Sequence, residues 1–322
     1  MKGTKVIAFL IVVYVLMGFI SAGPMAAETK LIPLYTAAAG GPSYMLGAGI
    51  ASLTKKYVSG VEMVAEATPG SGPMVRNLRE REGMKREAFA IIASDGAFNA
   101  YHGKKDYEGK AYPAIRGITF LFGGPQFLAV PANSSIRSYS DVRGKRVGIG
   151  GPGSTIAEST LALLELYGIK RSDFKPYFFG YVEAANGIRD GSLDGGILAD
   201  VQYTELSLTQ NVRAVPADEE ILKKLLSQYP YYPYAIFKSG SYKGVDQDTP
   251  AITFVVALYT YAGVSTDLVY QITKNLFEHR EEYYQVHKFA RMMTPETALK
   301  GIPIPLHPGA EKYYKESGVI KN

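Results

Sequence analysis

The chain has 322 residues, a formal net charge of +5 and no cysteine. Without cysteine we expect no disulfide framework, no thiolate catalysis, no Cys-ligated metal and no lipoprotein anchor, since that anchor is attached to a cysteine. Basic residues are scattered and form no stripe with interleaved aromatic residues, so nucleic-acid binding is not expected.

The first 27 residues have the order of features that is typical of a secretory signal peptide. Lys2 and Lys5 precede an apolar run at 6–20, and small residues with one proline follow as far as Ala27. An uncleaved membrane anchor is the alternative, because no charge interrupts the stretch before Glu28. The strongly apolar part is shorter than the ~20 residues that span a bilayer. We therefore expect cleavage near 22–27 and a periplasmic location.

From residue 30 onward, short apolar strands alternate with helical patterns, which predicts an α/β fold with a mostly parallel sheet. Strands are predicted at 30–35, 61–67 and 87–93, and the helix after the first strand is indicated by Leu46, Ile50, Leu53 and Tyr57 at helical spacing. Each predicted strand is followed by a turn that contains glycine or serine. This part of the chain has the composition of one α/β lobe.

A second α/β unit begins near residue 128. Its predicted strands lie at 127–130, 146–150, 177–181 and 196–199, and Thr155 with Glu158 predicts a capping box for a helix that reaches Tyr167. Beyond it come a strand at 251–261, a helix at 267–287 and an extended segment at 303–308. We expect residues 28–127 and 236–322 to form one lobe and residues 128–235 the other, although two consecutive domains would give a similar pattern.

Three turns share one design, in which glycines and a hydroxyl residue precede a helix start. They are Gly40-Gly41-Pro42-Ser43, Gly70-Ser71-Gly72 and Gly151-Pro152-Gly153-Ser154-Thr155. Glycine lets the backbone approach a ligand, and the unpaired N–H groups of a helix start attract anions. Helix capping alone also favours these residues. Because the design recurs three times, we predict an anion-binding role.

Other chemistries find little support in the sequence. The segment 148–153 matches the GxGxxG pattern, but the acidic residue at the required spacing, Asp173, precedes the next predicted strand instead of ending it. The four histidines are dispersed, and neither a GxSxG nor an HExxH motif occurs. We therefore expect no nicotinamide cofactor, no metal and no catalytic residue.

The ordered motifs resemble the TAXI family, the solute-binding subunits of one class of tripartite ATP-independent periplasmic (TRAP) transporters. The resemblance covers nearly the whole mature chain. It rests on the segments at 40–47, 70–78, 94–95, 151–154, 229–232 and 302–310. The chain departs from the family pattern at Ala37-Ala38-Ala39, at an apparent insertion at 72–74 and at Ala93, which are close to the expected ligand contacts.

This resemblance implies a two-lobed type II periplasmic-binding fold that closes on its solute by a hinge motion. It also implies delivery of the solute to a TRAP-type membrane permease by a monomeric binding protein. The expected solute is a small carboxylate: an amino acid such as glutamate, a 2-oxoacid or a dicarboxylate. An exported or biosynthetic enzyme with the same fold, or a ligand-sensing module for a membrane receptor, are the alternatives.

The turns and the resemblance together define a set of candidate ligand-binding residues. They are Gly41, Ser43, Tyr44, Gly70, Ser71, Ser94, Asp95, Gly153, Ser154 and Thr155. We expect backbone N–H groups and hydroxyls to hold the carboxylate, with Tyr44 as an apolar wall. Arg76 and Arg116 are candidates for an arginine that clamps it.

Overall fold

The computed structural model describes residues 29–321 of the chain. The predicted signal peptide at 1–27 lies outside the described residues. Within 29–321, no helix combines the length and the apolar character that crossing a membrane requires.

Strands and helices alternate along most of the described chain. The strands are β1 (Lys30–Thr36), β2 (Val61–Ala67), β3 (Phe89–Ala93), β4 (Ile115–Pro125), β5 (Phe127–Pro131), β6 (Arg146–Gly148), β7 (Lys175–Tyr177), β8 (Gly195–Leu198), β9 (Val212–Val215), β10 (Tyr234–Phe237) and β11 (Thr249–Tyr261). The α-helices are α1 (Pro42–Tyr57), α2 (Ser71–Gly83), α3 (Ser94–His102), α4 (Thr155–Leu166), α5 (Tyr181–Asp190), α6 (Asp200–Thr209), α7 (Glu219–Gln228), α8 (Thr266–Glu278), α9 (Arg280–Tyr283) and α10 (Pro308–Glu316). Short 3-10 helices also occur, including Lys105–Tyr107 and Lys288–Met292.

The first sheet has six strands in the order β10-β11-β3-β1-β2, with β4 on β11 as well. β1 is parallel to β2 and β3, whereas β11 is antiparallel to β3, β4 and β10. Ile32 and Leu34 on one face of β1 and Pro33 and Tyr35 on the other are all buried, as is typical of a strand that is covered by helices on both faces. This sheet and its helices form the first lobe.

The second sheet has five strands in the order β7-β6-β8-β5-β9. β6 is parallel to β7 and β8, and β5 is antiparallel to β8 and β9. This sheet and its helices form the second lobe. The α/β class with two sheets is confirmed, whereas the lobe boundaries given above stay a prediction.

The two lobes are joined where β4 ends at Pro125 and β5 begins at Phe127. β11 runs beside this crossover, and the Gln126 N–H donates to the Ile252 carbonyl across 2.8 Å. Two neighbouring strands therefore pass from one sheet toward the other.

Helix placement follows from the parallel strands. β2 and β3 lie on opposite sides of β1, so right-handed crossovers place α1 and α2 on opposite faces of the sheet. The contacts agree, since α1 packs against α8 and α9 while α2 packs against α3. α1, α2 and α3 all start at the same edge of the sheet, where the parallel strands end.

Two sequence predictions of local structure are wrong, and one long strand was not predicted. The strand expected at 177–181 ends at Tyr177, and α5 begins at Tyr181. The single helix expected at 267–287 is interrupted at His279, which separates α8 from the short α9. β4 was not predicted, because Gly123, Gly124 and Pro125 interrupt its apolar pattern.

Candidate functional site: a cleft between the two lobes

A cavity of about 510 Å³ lies between helix starts of the two lobes. The first lobe contributes α2, α3 and the 3-10 helix Lys105–Tyr107, and the second lobe contributes α4 with the turn before it. The lining residues are Ser71, Gly72, Ala93, Asp95, Gly96, Asn99, Lys105, Asp106, Tyr107, Gly153, Thr155 and Glu158. We call this cavity the interlobe cleft. Its position at the carboxyl ends of parallel strands is the usual place for a ligand in α/β folds.

Two side-chain contacts connect the lobes across the cleft. The Thr155 hydroxyl donates a hydrogen bond to the Asp95 carboxylate, and Lys105 forms an ion pair with Glu158. Lys105 has a left-handed backbone (φ 54°), which is uncommon for a residue other than glycine. The Phe98 ring of α3 also packs on Tyr231, with ring centroids 4.5 Å apart. These contacts are between side chains, so they can separate without unfolding either sheet.

Four of the predicted ligand-binding residues line the cleft: Ser71, Asp95, Gly153 and Thr155. Ser71 is the first residue of α2, and its Cβ would lie 2.9 Å from a Cβ placed on Gly96. A glycine at position 96 thus allows the starts of α2 and α3 to approach closely. Gly70 precedes Ser71 as the N-cap of α2 with φ 119°, a conformation that favours glycine.

The structure gives two other predicted serines different partners. Ser94 is 1% exposed, and its hydroxyl lies 3.3 Å from the Tyr259 hydroxyl of β11. Ser154 is the N-cap of α4, where its hydroxyl accepts the Ala157 N–H at 3.2 Å. Ser154 and not Thr155 caps this helix, so the predicted Thr155–Glu158 capping box is wrong. Neither serine is among the residues that line the cleft.

The predicted residues of the first turn lie at the start of α1. Gly41 is its N-cap, and Ser43 and Tyr44 belong to its first turn. All three are partly exposed, and none of them lines the interlobe cleft. Their assignment to the ligand site stays a prediction.

The two candidate arginines lie in different parts of the first lobe. Arg76 is exposed on α2. Burial raises the pKa of the Tyr107 phenol, and Arg76 lies near enough to oppose part of that rise. Arg116 lies at the other end of the sheet, because it pairs with Thr260 whereas the edge next to the cleft is at Val256. Its guanidinium donates to the Pro113 and Ile115 carbonyls at 2.6 and 2.9 Å. Arg116 therefore cannot clamp a solute in the cleft.

Sequence reasoning missed the most informative side chain of the cleft, Asn99. This residue is 6% exposed, and its amide oxygen is buried without a hydrogen-bond partner in the described chain. A buried acceptor left unpaired costs on the order of 1–3 kcal/mol, so the position favours a ligand that brings a donor. A signal was present in the sequence, because Asn99 follows Asp95 by one helical turn.

The charges that line the cleft are mixed. Asp95, Asp106 and Glu158 supply three carboxylates, and Lys105 supplies one ammonium. The starts of α2 and α4 contribute the positive ends of two helix dipoles. The cleft is thus not a simple anion trap, and it can accommodate a positive and a negative group in one ligand.

Solved structures of several proteins are similar to this chain. The TctC solute-binding protein from Polaromonas is 16% identical with a TM-score of 0.58, over 82% of this chain and 89% of that chain. XAC2383 from Xanthomonas citri, bound to chloride, is 12% identical with a TM-score of 0.51, over 90% and 97%. The periplasmic aliphatic sulphonate binding protein SsuA from Escherichia coli is 14% identical with a TM-score of 0.46, over 89% and 78%.

The TctC protein is named as a solute-binding protein, and the fold of this chain is the one found in it. The family relationship rests on the sequence, because the NMT1-like family model matches residues 34–318, almost all of the described chain. The chain belongs to the NMT1-like family.

Proposed function

We propose that this protein is the periplasmic solute-binding subunit of a membrane transporter. It captures a small solute in the interlobe cleft without turnover and, as a monomer, delivers it to a permease. The observation that carries the proposal is the cleft itself, a cavity of about 510 Å³ whose polar lining comes from both lobes. The fold shared with a solute-binding protein supports the role, and the TAXI-like motifs support a TRAP-type permease as the partner.

The proposed solute is an α-amino acid, within the carboxylate class expected from the sequence. The start of α2, with the Ser71 hydroxyl and unpaired N–H groups, suits the carboxylate. The Asn99 amide oxygen suits a donor such as the ammonium group, and the acidic side chains nearby favour its positive charge. A 2-oxoacid or a dicarboxylate would supply the negative group but leave Asn99 without a donor.

Capture involves closure of the lobes around the solute. The Thr155–Asp95 and Lys105–Glu158 contacts close one side of the cleft, and a solute that touches both lobes adds to them. Binding then favours the closed arrangement by mass action.

The experiment compares two ligands that differ in one group. Glutamate and 2-oxoglutarate share the dicarboxylate skeleton, but only glutamate carries an ammonium group. We expect glutamate, or another amino acid in a parallel screen, to raise the melting temperature of the mature protein more than its 2-oxoacid does. Asn99→Leu should weaken amino-acid binding by roughly tenfold or more, while Asn99→Asp retains an acceptor oxygen and should retain binding.

The possible results separate the parts of the proposal. Equal affinity for the amino acid and its 2-oxoacid would show that the ammonium group is not recognised. Absence of binding by all amino acids, 2-oxoacids and dicarboxylates would count against the solute-binding role. Chemical conversion of a bound compound would favour the enzyme alternative.

A further inference from the structure

A second cavity, of about 300 Å³, lies where β4 and β11 pass between the two sheets. We call it the crossover cavity. Its floor is formed by Gly123 and Gly124 of β4 and by Phe254 of β11. A residue of the second lobe, Asp200 at the start of α6, also lines it. None of the residues that line the interlobe cleft lines this cavity.

The floor of the crossover cavity is tightly packed. A Cβ on Gly123 would lie 2.3 Å from the Phe254 carbonyl oxygen, and a Cβ on Gly124 would lie 2.9 Å from the Phe254 ring. The Cβ placed on Gly124 would also lie 3.6 Å from the Asp200 carboxylate. Glycine at both positions is therefore what allows the strand, the ring and the carboxylate to share this space.

The walls are mainly apolar and aromatic. The side chains are Phe120, Phe237, Tyr242, Phe254, Phe289 and Met292. Phe120 is 3% exposed, whereas the other rings are only partly buried and present open surface. A pocket with apolar walls and few polar groups is typical of sites for small organic molecules.

The charged groups that line the crossover cavity are two cations and one anion. Lys288 and Lys300 line it, and neither ammonium has a carboxylate within 4.0 Å in the described chain. Lys288 lies 5.3 Å from the centre of the Phe289 ring. Loss of hydration lowers the pKa of the Lys300 ammonium, although much of its side chain remains exposed. Asp200 is the only acidic residue in the lining and belongs to the opposite lobe.

We propose that the crossover cavity is a second ligand site, which binds a small monocarboxylate with an apolar or aromatic body. The two lysines hold the carboxylate, and the aromatic side chains enclose the body. Both lysines are exposed and have no carboxylate partner among the described residues, so a bound carboxylate gives them an ion pair, and the apolar body of the ligand excludes water from that pair. This site does not depend on what the interlobe cleft binds.

Phenylacetate is a suitable probe, and phenylacetamide is its neutral counterpart of nearly the same shape. We expect calorimetric titration of the mature protein to show phenylacetate binding and weaker phenylacetamide binding. The double variant Lys288→Gln/Lys300→Gln should weaken phenylacetate binding by roughly tenfold or more. Lys224→Gln changes an exposed lysine of α7 outside both cavities and should leave the affinity unchanged.

The location of the probe is tested with the Asn99→Leu variant. Its phenylacetate affinity should equal that of the wild type, because Asn99 lines only the interlobe cleft. Absence of phenylacetate binding at millimolar concentration would overturn the proposal. The proposal would also be overturned if the double-lysine variant bound phenylacetate as tightly as the wild type, or if Asn99→Leu abolished its binding.

Discussion

The interlobe cleft and the crossover cavity both lie between the lobes, but different parts of the chain enclose them. The cleft is closed by two side-chain contacts and is lined by three carboxylates and one ammonium. The crossover cavity has a floor of two paired strands and is lined by two ammonium groups, one carboxylate and several aromatic rings.

Because of this difference, the lobes can move relative to each other at the interlobe cleft, whereas the floor of the crossover cavity cannot move freely. Separation of the lobes at the cleft breaks one hydrogen bond and one ion pair, which are small free energies for partly exposed groups. It also separates the Phe98 ring of α3 from Tyr231, whose ring centroid lies 4.5 Å away. Movement of the crossover floor would break backbone pairing between β4 and β11. We infer that the proposed capture of a solute opens and closes the cleft while the crossover strands stay paired.

The largest predicted effect is a fall in the free energy of unfolding at low pH, which limits the pH range in which the two cavities can be compared. His307 is fully buried in the first lobe; its Nδ1 accepts the Gly309 N–H at 3.1 Å, so its Nε2 carries the proton and donates to the Val264 carbonyl. Burial lowers the pKa of His307 to about 4. Between about pH 6.5 and about pH 4 the unfolded chain binds a proton that the folded chain does not bind.

The free energy of unfolding should therefore fall by roughly 3 kcal/mol as the pH drops through this range. Urea unfolding of the mature protein at several pH values measures it. His307→Asn should remove most of this pH dependence, and His102→Asn, at an exposed histidine, should retain it. An unchanged pH dependence in His307→Asn would contradict the assignment.

The second prediction tests the rigidity of the crossover floor. Gly123→Ala places a Cβ against the Phe254 carbonyl and should lower the free energy of unfolding by about 2 kcal/mol. Gly72→Ala is the matched change in the interlobe cleft, where no atom lies within 4 Å of the added carbon. Urea unfolding should show little or no loss for Gly72→Ala. Equal stability of the two variants would remove the contrast between the cavities.

The third prediction tests the contacts that close the cleft. Thr155→Val keeps the shape of the side chain but removes the hydroxyl that donates to Asp95, a loss of about 1 kcal/mol. Hydrogen exchange of backbone amides at the start of α3 should become faster in the ligand-free protein. Thr209→Val, whose hydroxyl contacts only carbonyls of its own helix, is the control. The same exchange rate in both variants would show that this contact does not hold the cleft closed.

The helix starts of the cleft could be predicted from the sequence because their signals are local. A strand, a glycine turn and a hydroxyl residue led to Ser71 and Thr155, which line the cleft. Glu158 shows the limit of that reasoning, since a capping partner was expected and the structure pairs it with Lys105 of the other lobe. Arg116 was chosen by residue type alone, and the strand register places it away from the cleft.

The remaining features depend on contacts between distant parts of the chain. β4 carries three glycines and a proline, and it becomes a strand because β11 pairs with it along most of its length. The two lysines of the crossover cavity come from a C-terminal segment of 3-10 helix and turns, which no sequence period marks. The proximity of residues so distant in the sequence can be recognised only once the strands are paired.

The position of β11 also has a consequence for how the protein folds. All strands of the second sheet come from the contiguous segment 127–215, so that sheet has all of its strands before the rest of the chain is needed. The first sheet cannot be completed until β11 arrives, because β11 lies between β3 and β4. Closing so long a loop is slow. The N-terminal lobe should therefore be the last to reach its native state, with the edges of β3 and β4 unpaired until then.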